Sequence, residues 1–299
     1  MKKTLTTRRI AILAAASLSF LAACGGSDSS SDTTAAPAES TESVRIVSLS
    51  PTATEMLYAI GAGDLVVALD SLSTFPAETA DKVTEISAFE PSAEAILGYE
   101  PDLVLISNDM NKITEQLTAA DPDITVWTGA AAASLDDVYR QIGELGAATG
   151  REDAAAALVA DMQSKIEAAT AGVTAPDGAS YFYELDNTLY SVTSNTFVGS
   201  LLKATGIANV ADGVEEGNDY PQMNAEAIIK ANPSIIFLAD TKCCGQNAAE
   251  VAKRPGWSGI DAVKNGNVVE LDDDVASRWG PRVVDLVTQM VQAIKALQK

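Results

Sequence analysis

The segment that starts at Ala93, AEAILGYEPDLVLIS, returns at Ala225 as AEAIIKANPSIIFLA. Each copy holds Ala-Glu-Ala-Ile, then a proline seven positions after the glutamate (Glu94 to Pro101, Glu226 to Pro233), then an apolar run. The two glutamates lie 132 positions apart. A short helical pattern that stops ahead of a proline and is followed by an apolar run reads as helix, turn and strand. Two copies at this spacing constrain the chain to two α/β lobes built on one plan.

The flanking sequence extends that plan. VRIVSLS, DLVVALD, DLVLIS and ITVWTG read as strands of the first half. TATEMLYAIGAG between the first two is predicted to be a helix, with a capping box at Thr52 and Glu55. ASYFYEL, LYSVTS, SIIFLAD and VVELDD read as strands of the second half, and PRVVDLVTQMVQAIKALQK as a closing helix. Strands that alternate with helices imply a mainly parallel sheet in each lobe. The expected fold is therefore α/β, with two Rossmann-like lobes: residues 44–149, a connecting helix over 150–172, and residues 173–299. Ligands of open α/β sheets sit beyond the carboxyl ends of the strands, so two facing lobes make a cleft.

Composition excludes several functions. The formal charge of −21 argues against nucleic acid and anionic membrane surfaces as partners. Histidine is absent, which removes the commonest general base and metal ligand and argues against a bare zinc or copper site and against Ser-His-Asp or Cys-His catalysis; no catalytic residue, resident metal or cofactor is expected. The first residues form a targeting signal: basic MKKTLTTRR, apolar IAILAAASLSFLAA, then a cysteine. The LAAC ending resembles the lipobox of bacterial lipoproteins, which implies a signal peptide over 1–23 and acylation of Cys24. Loss of that peptide removes Lys2, Lys3, Arg8 and Arg9 and no acid, leaving a charge of −25. Residues 24–43, rich in Gly, Ser, Thr and acids, read as a disordered tether.

Glu94 and Glu226 have two readings. Ser92 and Asn224 are good N-caps, and an acid in the first turn suits the helix dipole. Capping does not explain why both lobes carry the same residue in matching surroundings. Cys243 and Cys244 are adjacent in DTKCCGQ, after a strand. Outside the cytoplasm a vicinal disulfide that stiffens this loop is the expected state. Free thiols and a redox or soft-metal site are the alternatives.

RIVSLSPTATE at the start of the body, SRWGPRVVDLV near its end, and the two lobes with one connecting helix resemble the helical-backbone substrate-binding proteins of ATP-binding-cassette importers for ferric siderophores and vitamin B12. The resemblance covers residues 44–299. It implies a lipid-anchored, extracytoplasmic monomer, not an enzyme, with a metal chelate as ligand and an importer permease and its ATPase as partners. It implies docking of Glu94 and Glu226 on permease arginines. Similarity to the B12-binding member places Phe89, Tyr190, Tyr220, Asp274 and Arg278 in the cleft; Pro51, Thr52, Trp279 and the two cysteines complete the candidate ligand site. Each aromatic has core packing as its alternative, and Arg278 has pairing with the acidic LDDD run. A stiff connecting helix implies a small lobe rotation on binding. The competing function is an extracytoplasmic redox protein that uses Cys243 and Cys244. Adhesion or scaffolding is a third, and it leaves the paired glutamates without a role.

Overall fold

The computed structural model describes residues 43–298. The signal peptide, Cys24 and nearly all of the tether lie outside them. In the first lobe the order is β1 (Ile46–Leu49), α1 (Pro51–Ala59), β2 (Val66–Leu69), α2 (Ala93–Leu97), β3 (Leu103–Ile106), α3 (Ile113–Ala120) and β4 (Thr125–Thr128). Helices α4 (Leu135–Thr149) and α5 (Glu152–Thr170) follow. The second lobe runs β5 (Ser180–Glu184), α6 (Phe197–Lys203), β6 (Ala208–Asn209), α7 (Ala225–Ala231), β7 (Ile235–Leu238), α8 (Ala248–Lys253), α9 (Asp261–Lys264), β8 (Val268–Glu270), α10 (Asp273–Ala276) and α11 (Val283–Ala296). The sheets have the orders β2-β1-β3-β4 and β6-β5-β7-β8, and every strand pair in them is parallel.

The side-chain period of two places alternate strand residues in different cores. Val47, Leu49, Val104 and Ile106 pack with Ile96, Ile113 and Leu117 from α2 and α3. Phe182, Ile236 and Leu238 pack with Ile228, Val251 and Trp257 on the outer side of the second sheet. The opposite residues, Ile46, Leu103 and Leu105 of one sheet and Tyr181, Tyr183 and Phe237 of the other, belong to a single larger core. Val138, Ile142 and Leu145 of α4, Met162 of α5, and Leu286, Met290 and Ile294 of α11 join that core. The two lobes therefore share apolar packing, and Ser43–Lys299 forms one compact unit.

The long connector is two helices. Gly150 caps α4 with φ +65°, a conformation that glycine adopts without strain, and the chain then turns into α5. At the crossing, a Cβ on Gly146 would fall 2.5 Å from Ala155 Cβ, so the helices approach as closely as they do because residue 146 has no side chain.

Two expectations are corrected. Residues 189–194 do not form a strand: Tyr190 makes one isolated antiparallel bridge to Gln222, and the edge strand is β6. Thr52 and Glu55 do not form a capping box. Ser50 is the N-cap of α1, its side chain accepting from Ala53 N, with Pro51 in the first turn where the missing N–H costs nothing. Glu55 is buried and serves elsewhere.

Candidate functional site

All strands of a parallel sheet end on the same edge, so the loops that follow them share one end of the lobe. The exposed large apolar residues gather there. Leu72, Phe75, Phe89 and Met110 follow β2 and β3; Tyr190, Val214 and Tyr220 follow β5 and β6. Phe89 is 66% exposed and Tyr220 is 56% exposed, which rules out core packing for both. Aromatic faces left in water at strand ends supply area for a bulky ligand at little entropic cost.

A cavity of about 450 Å³ opens beside them. Pro51, Thr52, Asp70, Leu72 and Phe89 of the first lobe line it, together with Asp274, Arg278 and Trp279 from the end of the second. A second cavity of about 190 Å³ has walls from Ala131, Leu185, Phe197 and Tyr220. Ser277, Arg278 and Trp279 border both spaces, so this short segment divides one cleft into two parts.

The dividing segment is clasped to the first lobe. Arg278 Nη1 donates to Glu55 Oε1 (2.9 Å), and its Nη2 donates to Leu72 O (3.2 Å) and Asp274 Oδ1 (3.0 Å). Arg282 Nε donates to Glu55 Oε2 (2.8 Å), its Nη2 bonds Oε1, and its guanidinium lies 4.1 Å from the centroid of Phe75. Glu55 holds the Arg282 proton more tightly than usual, by direct hydrogen bonding first. Trp279 Nε1 donates to Gln141 Oε1 on α4 (3.0 Å), while Gln141 Nε2 donates to Ala130 O (2.7 Å). Gly280 permits this approach: a Cβ there would sit 3.3 Å from Glu55 Oε2.

The cleft offers no free cation among its described lining residues. Arg278 is shared between Glu55 and Asp274. Lys242 pairs with Asp272 and Asp274 at 2.8 Å each. Arg278 thus takes the second of its sequence readings, pairing with the acidic run. Asp70 is fully buried, and burial lifts its pKa against the opposing pull of Ser73 and Arg278.

Of the candidate ligand residues, the structure brings together Pro51, Thr52, Phe89, Asp274, Arg278 and Trp279 around the larger cavity and Tyr220 at the smaller one. Tyr190, half-exposed, stands outside both linings, as do the exposed Cys243 and the half-buried Cys244. Trp257 is core, stacked edge-on with Phe182. Glu55, Arg282 and Gln141 were missed. The local signal of Glu55 read as a cap, and its partners lie 223 and 227 positions away.

The Sγ atoms of Cys243 and Cys244 lie 2.6 Å apart with no bond between them, close to the pairing that the sequence favoured. Their loop is strapped to Asp273, whose carboxylate accepts from the backbone N–H groups of Thr241 (2.8 Å), Lys242 (3.0 Å) and Cys243 (2.8 Å). Contact with Cys244, then burial, pushes the Cys243 thiol up to about 12. A thiol that keeps its proton at neutral pH is a poor nucleophile, which counts against a catalytic redox protein. Beneath the loop, Asp240 is buried with neither carboxylate oxygen hydrogen-bonded. Glu184 nearby is fully buried and held by Arg254. No group of three or more His, Cys, Asp or Glu among the described residues is arranged to hold a metal ion.

Glu94 and Glu226 are both exposed, in the first turns of α2 and α7. Ser92 and Asn224 do the capping, accepting from Ala95 N (3.3 Å) and Ala227 N (2.8 Å). Among the described residues neither glutamate forms an ion pair or a side-chain hydrogen bond.

The profile described as "periplasmic binding protein" matches residues 46–275. The chain belongs to this family. Periplasmic binding proteins are transport components, not enzymes, and two parallel-sheet lobes are their architecture. The protein is 34% identical over 260 residues to an uncharacterized ABC transporter substrate-binding lipoprotein of Bacillus subtilis, YvrC, with 85% of this chain and 80% of that one covered. It is 31% identical over 260 residues to a cobalamin-binding protein of Halobacterium salinarum, covering 84% and 69% of the two chains. Among solved structures, the apo periplasmic heme-binding protein RhuT of Roseiflexus sp. RS-1 aligns with a TM-score of 0.73 and 26% identity, over 86% of this chain and all (100%) of that one.

Proposed function

We propose that this periplasmic binding protein is the lipid-anchored receptor of an ABC importer, and that it captures a bulky, neutral metal chelate, a corrinoid ahead of a ferric siderophore. The observation that carries the choice is the state of the cleft cations. Arg278, the basic residue of the two linings, is already held by Glu55 and Asp274, and Asp70 faces the same space without a hydrogen-bond partner. A carboxylate-rich chelate would find no free cation there to pair with, at a cost that grows as water is excluded. A neutral macrocycle needs apolar area and a few polar groups, which Leu72, Phe89, Tyr220 and Trp279 with Thr52 and Asp274 provide. The cobalamin-binding relative supports the same class. Haem ranks below both, because without histidine its iron has no imidazole ligand.

Cys24 would carry the lipid, and Glu94 and Glu226, one per lobe, would register the receptor on a two-fold permease. Two unpaired surface carboxylates set orientation and encounter rate more than affinity.

Tryptophan fluorescence tests the ligand class, since one of the three tryptophans, Trp279, lines the cleft. Residues 43–299 are titrated with cyanocobalamin, with ferric hydroxamate and citrate-type siderophores, and with haem, with inner-filter controls. Saturable quenching by submicromolar cyanocobalamin, reduced in Trp279→Phe, is the expected result. Tight binding confined to the anionic chelates would overturn the corrinoid assignment.

A further inference from the structure

The loop between β7 and α8 carries chemistry that ligand capture leaves unused. Its two thiols are already in contact, at 2.6 Å between Sγ atoms, and Cys243 is exposed to solvent while Cys244 is half-buried. Consecutive Cα atoms are about 3.8 Å apart across a trans peptide, whereas ordinary disulfides span about 4.4–6.8 Å. A bond between neighbours closes an eight-membered ring that includes the peptide between them, so its formation constrains that backbone. That backbone is held at both residues: Cys243 N–H donates to Asp273 Oδ2 (2.8 Å) and Cys244 N–H to Asp240 O (3.3 Å).

Asp273 leads straight to the cleft. The next residue, Asp274, accepts from Lys242 Nζ (2.8 Å) and from Arg278 Nη2 (3.0 Å), and Arg278 borders both cavities. Lys242 itself belongs to the cysteine loop. A loop that lets go of Asp273 also disturbs Asp274, one of the two carboxylates that hold Arg278 in the cleft wall.

We propose that Cys243 and Cys244 form a reversible thiol–disulfide modification site, with small-molecule disulfides as the oxidant class, and that its oxidation weakens ligand capture through Asp273, Asp274 and Arg278. In the first step a cysteine thiolate attacks the external disulfide, forms a mixed disulfide and expels one thiolate. In the second step the other cysteine attacks the protein sulfur of that mixed disulfide, forms the Cys243–Cys244 bond and expels the second thiolate. The cysteine pair loses two electrons, the external disulfide gains them, and the two cysteine protons end on the released thiols. Disulfides formed under strain sit at oxidising potentials and are readily reversed, which suits a modification rather than a permanent staple.

The test uses residues 43–299, which form a compact unit, equilibrated in glutathione buffers from fully reduced to fully oxidised. Mass spectrometry follows the loss of two hydrogens. Trp279 emission is taken as the difference between wild type and Trp279→Phe, and cyanocobalamin affinity is measured at each end. The expected result is a two-hydrogen loss that tracks the buffer, a shift in Trp279 emission, and a Kd about fivefold or more weaker when oxidised, at the low end of couplings between sites. Cys243→Ser should show none of the three. Persistent glutathione adducts without the two-hydrogen loss would overturn the proposal, as would a disulfide that leaves both Trp279 emission and Kd unchanged. The affinity arm rests on the corrinoid reading. If the reduced protein does not bind cyanocobalamin, that reading fails, and the mass and Trp279 emission decide the redox proposal alone.

Discussion

Glu55 shows how a single carboxylate organises the cleft wall. It is 3% exposed and accepts from two arginines on the far end of the chain. Removing its charge leaves the mostly buried Arg282 without its carboxylate partner and Arg278 with Asp274 alone, and losses of this kind cost about 3–5 kcal/mol. Glu55→Gln should therefore lower urea stability by that order. Asp240 works in the opposite sense. Burial, then repulsion from Glu184, raises its pKa from the ordinary 3.8 to about 7, so the folded state binds its proton more tightly than the unfolded chain. The penalty is absent below pH about 4, grows as pH rises, and is complete above about 7. Asp240→Asn, which cannot ionise, should be more stable than wild type at pH 8 by about 1–3 kcal/mol, with the difference fading towards pH 4. Melting curves across that range measure it. Neither residue was legible in the sequence. Glu55 sits where a capping acid would, and nothing near Asp240 announces that its oxygens find no donor.

At the scale of elements the sequence was far more informative. Helix–turn–strand units are local patterns, and hydrophobic period, N-caps and prolines placed α2, β3, α7 and β7 correctly. LYSVTS failed because alternation is necessary for a strand but not sufficient. These residues meet a partner only at Tyr190 and Gln222, while the two-residue β6 is too short to leave a pattern. Phe89 and Tyr220 were placed at the cleft by resemblance to the B12-binding member rather than by a local pattern, and Tyr190, placed in the same way, stands outside both linings, whereas the clasp that Arg278 and Arg282 make on Glu55 needed three dimensions. The connector makes its own prediction. Gly146 lets α4 pass over Ala155 and the backbone of Arg151. Gly146→Ala improves helix propensity yet forces the crossing apart, and overpacking of this sort costs about 1–3 kcal/mol. A lower denaturation midpoint with unchanged helical circular dichroism is the expected outcome.

The whole molecule is two similar lobes with a shared core, and that core runs through α4, α5 and α11. Shared packing and the Glu55 clasp both oppose wide opening, in keeping with the small lobe rotation expected from a helical connector. The paired surface glutamates belong to this scale, because their value lies in being two. Glu94→Lys with Glu226→Lys should abolish importer-dependent uptake in cells and leave ligand Kd unchanged in vitro; a fall in affinity would move those carboxylates into the ligand site. The clasp also bears on how the molecule is made. The first lobe emerges from synthesis with Glu55 already in place, but the arginines that neutralise it are 223 and 227 positions later. Until they arrive, the first lobe has to keep a carboxylate wet that the finished protein keeps dry. The wall of the cleft therefore sets only after residues 278–282 have been made, long after the first sheet is complete.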